Sequence, residues 1–510
     1  MCILAQENSK KIGTLSLILM IFTALFGLSN TTIAYDQMGY AAIIWYVLGA
    51  LLFFLPSGLM FAEYGSTFKS VKGGIYSWLE GSIGEKPAFI GTFIWLSGWI
   101  IWLVSEASRM WIPFATAFAG YDTTQSWHLF GLSSTQTIGV IAIIAILVIT
   151  YFSSRGVDQF AKFTNFSGVF TLFLTAVFIL ASLFLIIIHH GHLAQPFTAQ
   201  SLVHSPNPQF QSPVAILSFI SYAIFAYAGM ETMSGVIDNV KDAEHTFPKA
   251  LIIATLFILT IYSVGIFLWG ISANWKNLLG KSTTDLGNVL FVLMNNLGYS
   301  IGIGLHFSNA AAISLGNWFG RLIGIEEFLA DTGALFVMIY SPLKSFILGT
   351  PKKFWPKKLT ELNKDGVPAH AMWLQAIIVD IILFGVSFGG KNMQNFYTVL
   401  TDMGNVSNSL PYLFLIAAFP FFKAKKNLAR PFVAYHSKKV VWTITAISWL
   451  TVLIGIIFTI LDPIMTHDYS TAFWTIIGPI FFGSVAWGFY SYSQHHIHEE
   501  DEVKVSSQDN

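Results

Sequence analysis

Phe26-Gly27-Leu28-Ser29-Asn30-Thr31-Thr32 lies near the centre of an apolar run that covers about residues 14–35. Such a run is long enough to cross a bilayer, which takes roughly 20 mostly apolar residues. A polar, small-residue interruption halfway across is tolerated only where the freed backbone lines a cavity or is buried in protein. A second stretch of the same kind, Tyr222-Ala223-Ile224-Phe225-Ala226-Tyr227-Ala228-Gly229-Met230-Glu231-Thr232, interrupts the run that begins at 213. Gly27 alone reads as a small residue for close helix packing. Two breaks that open consecutive sets of five runs, one ending in a carboxylate, instead predict paired discontinuous helices around a midplane site.

The remaining runs lie near 41–62, 88–119, 136–152, 160–188, 249–273, 297–323, 370–388, 396–422, 440–461 and 471–493, which makes twelve with the two above. The stretch 332–348 is apolar but carries Gly333, Ser341, Pro342 and Lys344, and is expected to be re-entrant or interfacial, with a thirteenth span as the competing reading. The chain of 510 residues is 54% hydrophobic and only 11% charged. Soluble domains carry roughly 25% charged residues, so much of this surface must face lipid. The 27 basic and 27 acidic residues cancel, which gives no basic field for nucleic acid. Cys2 is the single cysteine and forms no internal disulfide.

With the N-terminus inside, 23 of the 27 Lys and Arg fall on the cytoplasmic side, as the positive-inside rule requires. The fold class expected is therefore an all-α membrane protein of twelve transmembrane helices. It divides into a cytoplasmic N-terminus (1–13), a first five-span repeat (14–190), an extracytoplasmic loop (191–212), a second repeat (213–422), two further spans (440–493) and a cytoplasmic His- and acid-rich tail (494–510).

Several motifs carry a family resemblance. Ala62-Glu63-Tyr64 followed by Lys72-Gly73-Gly74-Ile75-Tyr76-Ser77-Trp78 resembles a pattern of the amino acid–polyamine–organocation superfamily. Phe225 to Glu231 is similar to its sixth-helix aromatic-x-Gly-x-Glu signature. Asp238-Asn239-Val240-Lys241 through Phe247-Pro248-Lys249-Ala250, and Leu362 to Pro368, resemble its cytoplasmic connecting segments. Within the superfamily the likeness is to the bacterial glutamate/GABA antiporters. It implies a five-plus-five inverted repeat plus two helices, alternating access, and a bacterial inner-membrane location. It also implies a site for a small zwitterion: the carboxylate at Gly27, Ser29, Asn30 and Thr31, the ammonium at carbonyls near Phe225, Ala228 and Gly229, and Phe225 as a movable gate. The chain departs from the superfamily pattern at Gly27-Leu28-Ser29-Asn30, which stands in place of Gly-Ser/Thr-Gly.

A charge at the bilayer centre costs on the order of 2.5–3.5 kcal/mol even on insertion scales, so Glu231 is expected to sense or carry a proton, or to fix helix ends by hydrogen bonds. Glu106 and Arg109, one turn apart, read either as a self-neutralising pair or as a clamp for charged ends of the substrate. His306, Ser308, Asn309, Asp402, Asn405 and Asn408 read as helix–helix hydrogen bonds or as selectivity groups; Asp380 has no evident role. Gly385 to Asn392 imitates a nucleotide-binding loop but lacks its Ser or Thr and its preceding strand. No metal ligand set and no cofactor is expected; proton and sodium coupling both stay open, as does oligomeric state. A sodium-coupled amine transporter of the same fold is the alternative. A membrane enzyme or a channel would call for a ligand cluster or a repeated pore motif.

Overall fold

The computed structural model describes residues 12–68, 74–155, 158–231, 240–281, 283–389 and 392–508; side chains at 23–24, 158–168, 243–244 and 494–508 are left out of the description. Residues 1–11 of the N-terminal segment, Lys72 and Gly73, Asp238 and Asn239, and Gly390 and Lys391 therefore lie outside the described residues, as do the side chains of the tail.

Among the described residues every regular element is helical, apart from an isolated backbone bridge between Ile12 and Val240. This is what a bilayer demands, because a helix satisfies its own backbone where water is absent. Helices α1 (Thr14–Leu25) and α2 (Leu28–Met38) form the first, interrupted unit, followed by α3 (Ala42–Gly49) and α4 (Leu55–Thr67). Between α3 and α4 the ladder widens into a π-bulge at Ala50–Phe54, and Ser448 from a distant helix donates to the Leu52 carbonyl at 2.8 Å. Next come α5 (Ile75–Ile83), α6 (Glu85–Arg109), α7 (Trp111–Ala119), α8 (Ser134–Ser153) and α9 (Asp158–Ile188). After a long loop follow α10 (Pro213–Phe225), α11 (Ala243–Ser272), the short α12 (Trp275–Leu278), α13 (Val289–Gly304) and α14 (Asn309–Gly349). The chain ends with α15 (Lys357–Thr360), α16 (Ala369–Gly389), α17 (Met393–Ala424), α18 (Lys438–Met465) and α19 (Tyr469–Gln508).

Nine helical stretches among the described residues are long and apolar enough to cross a membrane, and α10 and α13 are shorter apolar helices. The stretch through α6 and α7 and the helix α17 are the most deeply buried; α9, α18 and α19 leave large apolar side chains open at the periphery, such as Val169, Leu180 and Ile187. Water would penalise that surface and lipid does not.

Two expectations give way. The window 297–323 is not one span: it straddles α13 and α14, with a turn at 305–308 in which His306 takes a positive φ of 58°. Ser308 caps α14 by accepting the Ala311 N–H at 3.3 Å, a capping signal that hydropathy averaging hides. His306 and Ser308 thus sit at a helix junction, and Asn309 opens α14. The stretch 332–348 is not a separate re-entrant piece either. It is the continuation of α14, which runs unbroken through Pro342 for 41 residues, about 62 Å at 1.5 Å per residue.

At the far end of α4, Glu63 is fully buried. It accepts from Lys423 Nζ at 2.6 Å and from the Ala434 N–H at 3.0 Å, joining α4 to the end of α17 and the segment beyond.

Candidate functional site

Helix α1 stops at Leu25. Phe26 (φ −79°, ψ 124°) and Gly27 (φ −127°, ψ 130°) are extended, and α2 restarts at Leu28. The first N–H groups of a helix lack intrahelical acceptors and carry partial positive charge. Here the Asn30 N–H returns to the Gly27 carbonyl at 3.1 Å, which leaves those of Leu28 and Ser29 at the break. Facing it, α10 ends at Phe225 and the chain turns through Ala226–Gly229, with Tyr227 N–H on the Ile224 carbonyl and Ala228 N–H on that of Phe225. Gly229 has φ 105°, a conformation that glycine alone adopts without strain.

One hydroxyl ties the two breaks together. Tyr262 on α11 lies 3.0 Å from the Leu25 carbonyl and 3.0 Å from the Ala226 carbonyl, and accepts from Asn30 Nδ2 at 3.1 Å. The hydroxyls of Tyr46 and Tyr222 donate to the Asn30 carbonyl at 3.0 and 3.2 Å. On the other side, the Gly229 N–H donates to the Tyr412 hydroxyl at 2.9 Å, which leaves the Tyr412 proton to reach Glu231 Oε2 at 2.7 Å. Trp95 Nε1 donates to Glu231 Oε1 at 3.2 Å. Glu231 is buried and accepts at both carboxyl oxygens.

Between the breaks lies a cavity of about 1080 Å³, just above the ~300–1,000 Å³ range of small-molecule sites. Gly27, Ser29, Asn30, Phe225, Ala228, Gly229, Glu231, Glu106 and Arg109 all line it, as do Asn405 and Asn408. Thr31 does not. The helix has restarted by then, so Thr31 is turned roughly 100° from Asn30, away from the cavity. Its hydroxyl donates to the Leu28 carbonyl at 2.6 Å and accepts from Trp269 Nε1 at 2.8 Å. The Phe225 carbonyl, expected to meet an ammonium, already accepts the Ala228 N–H at 2.9 Å.

Glu106 and Arg109 share the cavity wall without forming an ion pair. Arg109 donates instead to the Thr401 hydroxyl and, at 3.4 Å, to the Leu286 carbonyl, with its guanidinium 5.8 Å from the Tyr397 ring centre. A chamber of about 100 Å³ adjoins them, walled also by Ser29, Glu327 and Asp331. Sequence reading passed over Tyr262, Tyr412, Glu327, Asp331 and the indoles Trp95, Trp99 and Trp102. The tryptophan spacing i, i+4, i+7 was a usable signal for one helical face; the tyrosines carry none. Among the described residues no group of three or more His, Cys, Asp or Glu side chains is placed to hold a metal.

The sequence model of the amino acid permease family matches residues 12–482. The chain belongs to that family. The inner membrane transporter YjeM of Salmonella typhimurium is 45% identical over 482 residues, 94% of this chain and 96% of the relative. More distantly, the aspartate/glutamate permease AcaP of Lactococcus lactis subsp. cremoris is 22% identical across 92% of this chain and 91% of its own length. A glutamate/gamma-aminobutyrate antiporter of Lactococcus lactis subsp. lactis is also 22% identical, across 84% and 80%. This permease is thus a multi-pass membrane protein of a transporter family rather than an enzyme family, similar to inner-membrane transporters.

Proposed function

We propose that the permease is a secondary active transporter of amino acids, working by alternating access around the cavity between the Phe26-Gly27 break and the Ala226–Gly229 turn. The observation that carries this reading is that both breaks open on one cavity and are held by one hydroxyl, that of Tyr262, which accepts from Asn30 Nδ2 and donates to the Ala226 carbonyl. An α-carboxylate would meet the first N–H groups of α2 at Leu28 and Ser29. The α-ammonium would meet the opposite wall, where the Phe225 and Ala226 carbonyls are partly engaged, so a substrate group competes with Ala228 N–H and Tyr262 there.

Twelve crossings fit this scheme: α1 with α2, α3 with α4, α6 with α7, α8, α9, the unit that begins with α10, α11, α14, α16, α17, α18 and α19. The first five and the next five would be the two inverted repeats, with α13 lying against α14 as an added hairpin arm. Both termini would be cytoplasmic, as the Lys and Arg distribution favours. Exchange is supported by the resemblance to antiporters, and proton-coupled uptake is its variant, with Glu231 as the group that responds to protons. Sodium-coupled transport of an amine is the reading that competes with both.

Counterflow in proteoliposomes tests this. The purified protein, preloaded with one amino acid, should accumulate labelled amino acid from outside, and Glu231→Gln should flatten the pH profile. Vesicles that exchange no amino acid under any gradient overturn the reading; a pH profile unchanged in Glu231→Gln removes the proton role alone.

A further inference from the structure

Helix α6 records what passes along it. Between Gly91 and Met110 every residue is buried except Trp95, Trp99, Trp102, Ser105, Glu106 and Arg109, and all six line the main cavity. They form one stripe at helical spacing. From Trp95 to Arg109 the stripe extends about 21 Å, at 1.5 Å per residue. A bare amino-acid head group gripped at the breaks covers a small part of that length. The remainder is a wall with a chemistry of its own.

Three indoles come first. The ring centres of Trp95 and Trp99 are 6.3 Å apart at 81°, and those of Trp99 and Trp102 are 6.1 Å apart at 69°. Rings set near right angles do not close into a stack, so they leave π-faces open to the cavity. Trp95 is committed by its N–H to Glu231, whereas Trp99 and Trp102 continue toward Glu106. The charged groups lining the main cavity among the described residues are Glu231, Glu106 and Arg109. Arg109 is already engaged by Thr401, the Leu286 carbonyl and the Tyr397 face. Glu106 forms no ion pair with a described Lys, Arg or His; its side chain is hydrogen-bonded to Asp331, which with Glu327 walls the chamber beyond it. An indole face beside a carboxylate is the chemistry that recognises an organic cation, whereas a second carboxylate on the ligand would have to draw Arg109 from Thr401 and the Tyr397 face.

We propose that the cavity holds, beyond the head-group site, a subsite for a second positive charge, so that the permease carries amino acids with a cationic side chain whose ammonium or guanidinium lies on Trp99 and Trp102 and pairs with Glu106. This rests on the amino-acid reading above and narrows its substrate class, away from the acidic substrates that the names of the distant relatives carry.

The test is competition in counterflow with the purified wild-type protein. Lysine and arginine are set against glutamate and aspartate, and lysine against norleucine, which has the same chain length without the charge. Lysine should outcompete norleucine at least tenfold. In Glu106→Gln that ratio should fall at least tenfold, and Glu106→Asp, which keeps the charge, should retain most of it. If norleucine or glutamate is exchanged and lysine competes no better, the cation subsite is overturned while amino-acid transport stands. If the lysine preference is intact in Glu106→Gln, Glu106 is not its partner and the proposal fails in that form. Exchange of no amino acid, whatever its charge, overturns this proposal and the transport reading together. The wild-type series needs no variant, so poor folding of a substituted protein leaves the test decisive.

Discussion

Replacing Tyr262 by Phe removes one oxygen and leaves the ring in place against Phe26, Tyr46 and Tyr227, whose ring centres are 5.3, 5.0 and 5.7 Å away. The oxygen has three close partners: the Leu25 and Ala226 carbonyls and the Asn30 amide. Interhelical hydrogen bonds in bilayers average about 0.6 kcal/mol. A hydroxyl has one proton and serves one carbonyl at a time, so two bonds set a lower bound of about 1 kcal/mol and three an upper one of about 2 kcal/mol. At tenfold per 1.4 kcal/mol this is roughly five- to thirtyfold in an equilibrium constant. The hydroxyl ties both broken helices at once, so its loss should reduce the fraction of protein with the breaks in register. With the registered state the minor one in the empty protein, apparent affinity falls by the same factor. In counterflow, the half-saturation concentration of Tyr262→Phe should rise about five- to thirtyfold, with assembly in the membrane retained. A half-saturation value within twofold of the original refutes the idea that this hydroxyl organises the site.

Other outcomes follow from the same contacts. Thr31→Val keeps the shape but leaves the buried Trp269 N–H without its acceptor. An unmade buried hydrogen bond costs about 1–3 kcal/mol, so the melting temperature in detergent should drop while half-saturation stays put; a large change in half-saturation would return Thr31 to the substrate. Lys423→Met removes the closest cation from the buried Glu63 carboxylate and leaves it the Ala434 N–H and Arg430 Nε at 3.9 Å; the cost is at most the roughly 3–5 kcal/mol of a broken buried pair, and the yield of folded protein should fall, with Glu63→Gln restoring part of it in the double variant. No rescue would show that the pair does not join α4 to α17. In the loop before α13, Asp285 accepts the Gly287 and Asn288 N–H groups and Gln125 Nε2. Burial, with the Asp122 carboxylate nearby, pushes its pKa up to about 6, against about 3.9 in an unfolded chain. The folded form binds this proton more tightly, so the stabilisation it supplies is full below about pH 4 and lost as pH rises through about 6. Melting temperature should fall across that window in the original protein and hold level in Asp285→Asn; equal slopes would refute the assignment.

Composition and hydropathy alone placed this chain in a lipid bilayer, because the ratio of charged to apolar side chains is a sum that no arrangement changes. The two breaks were legible for a similar reason: Gly27 and Gly229 sit inside runs that otherwise have every cause to stay helical, and each marks a local backbone property. Local sums misplaced what depends on a few atoms. A window of hydropathy merged α13 with α14 across the Ser308 cap, and the far half of α14 was read as a separate piece because Gly333, Ser341, Pro342 and Lys344 interrupt its apolar run. Thr31 was placed at the site by the family resemblance, yet one residue past Asn30 is a turn of about 100°, enough to face it toward Trp269. The groups that organise the cavity were beyond reach for a different reason. Tyr262 is 237 residues from Leu25, and Tyr412 is 181 residues from Glu231. A hydrogen bond between such partners exists only once α11 and α17 have packed against the broken helices, and nothing in either neighbourhood of sequence records which helix that will be.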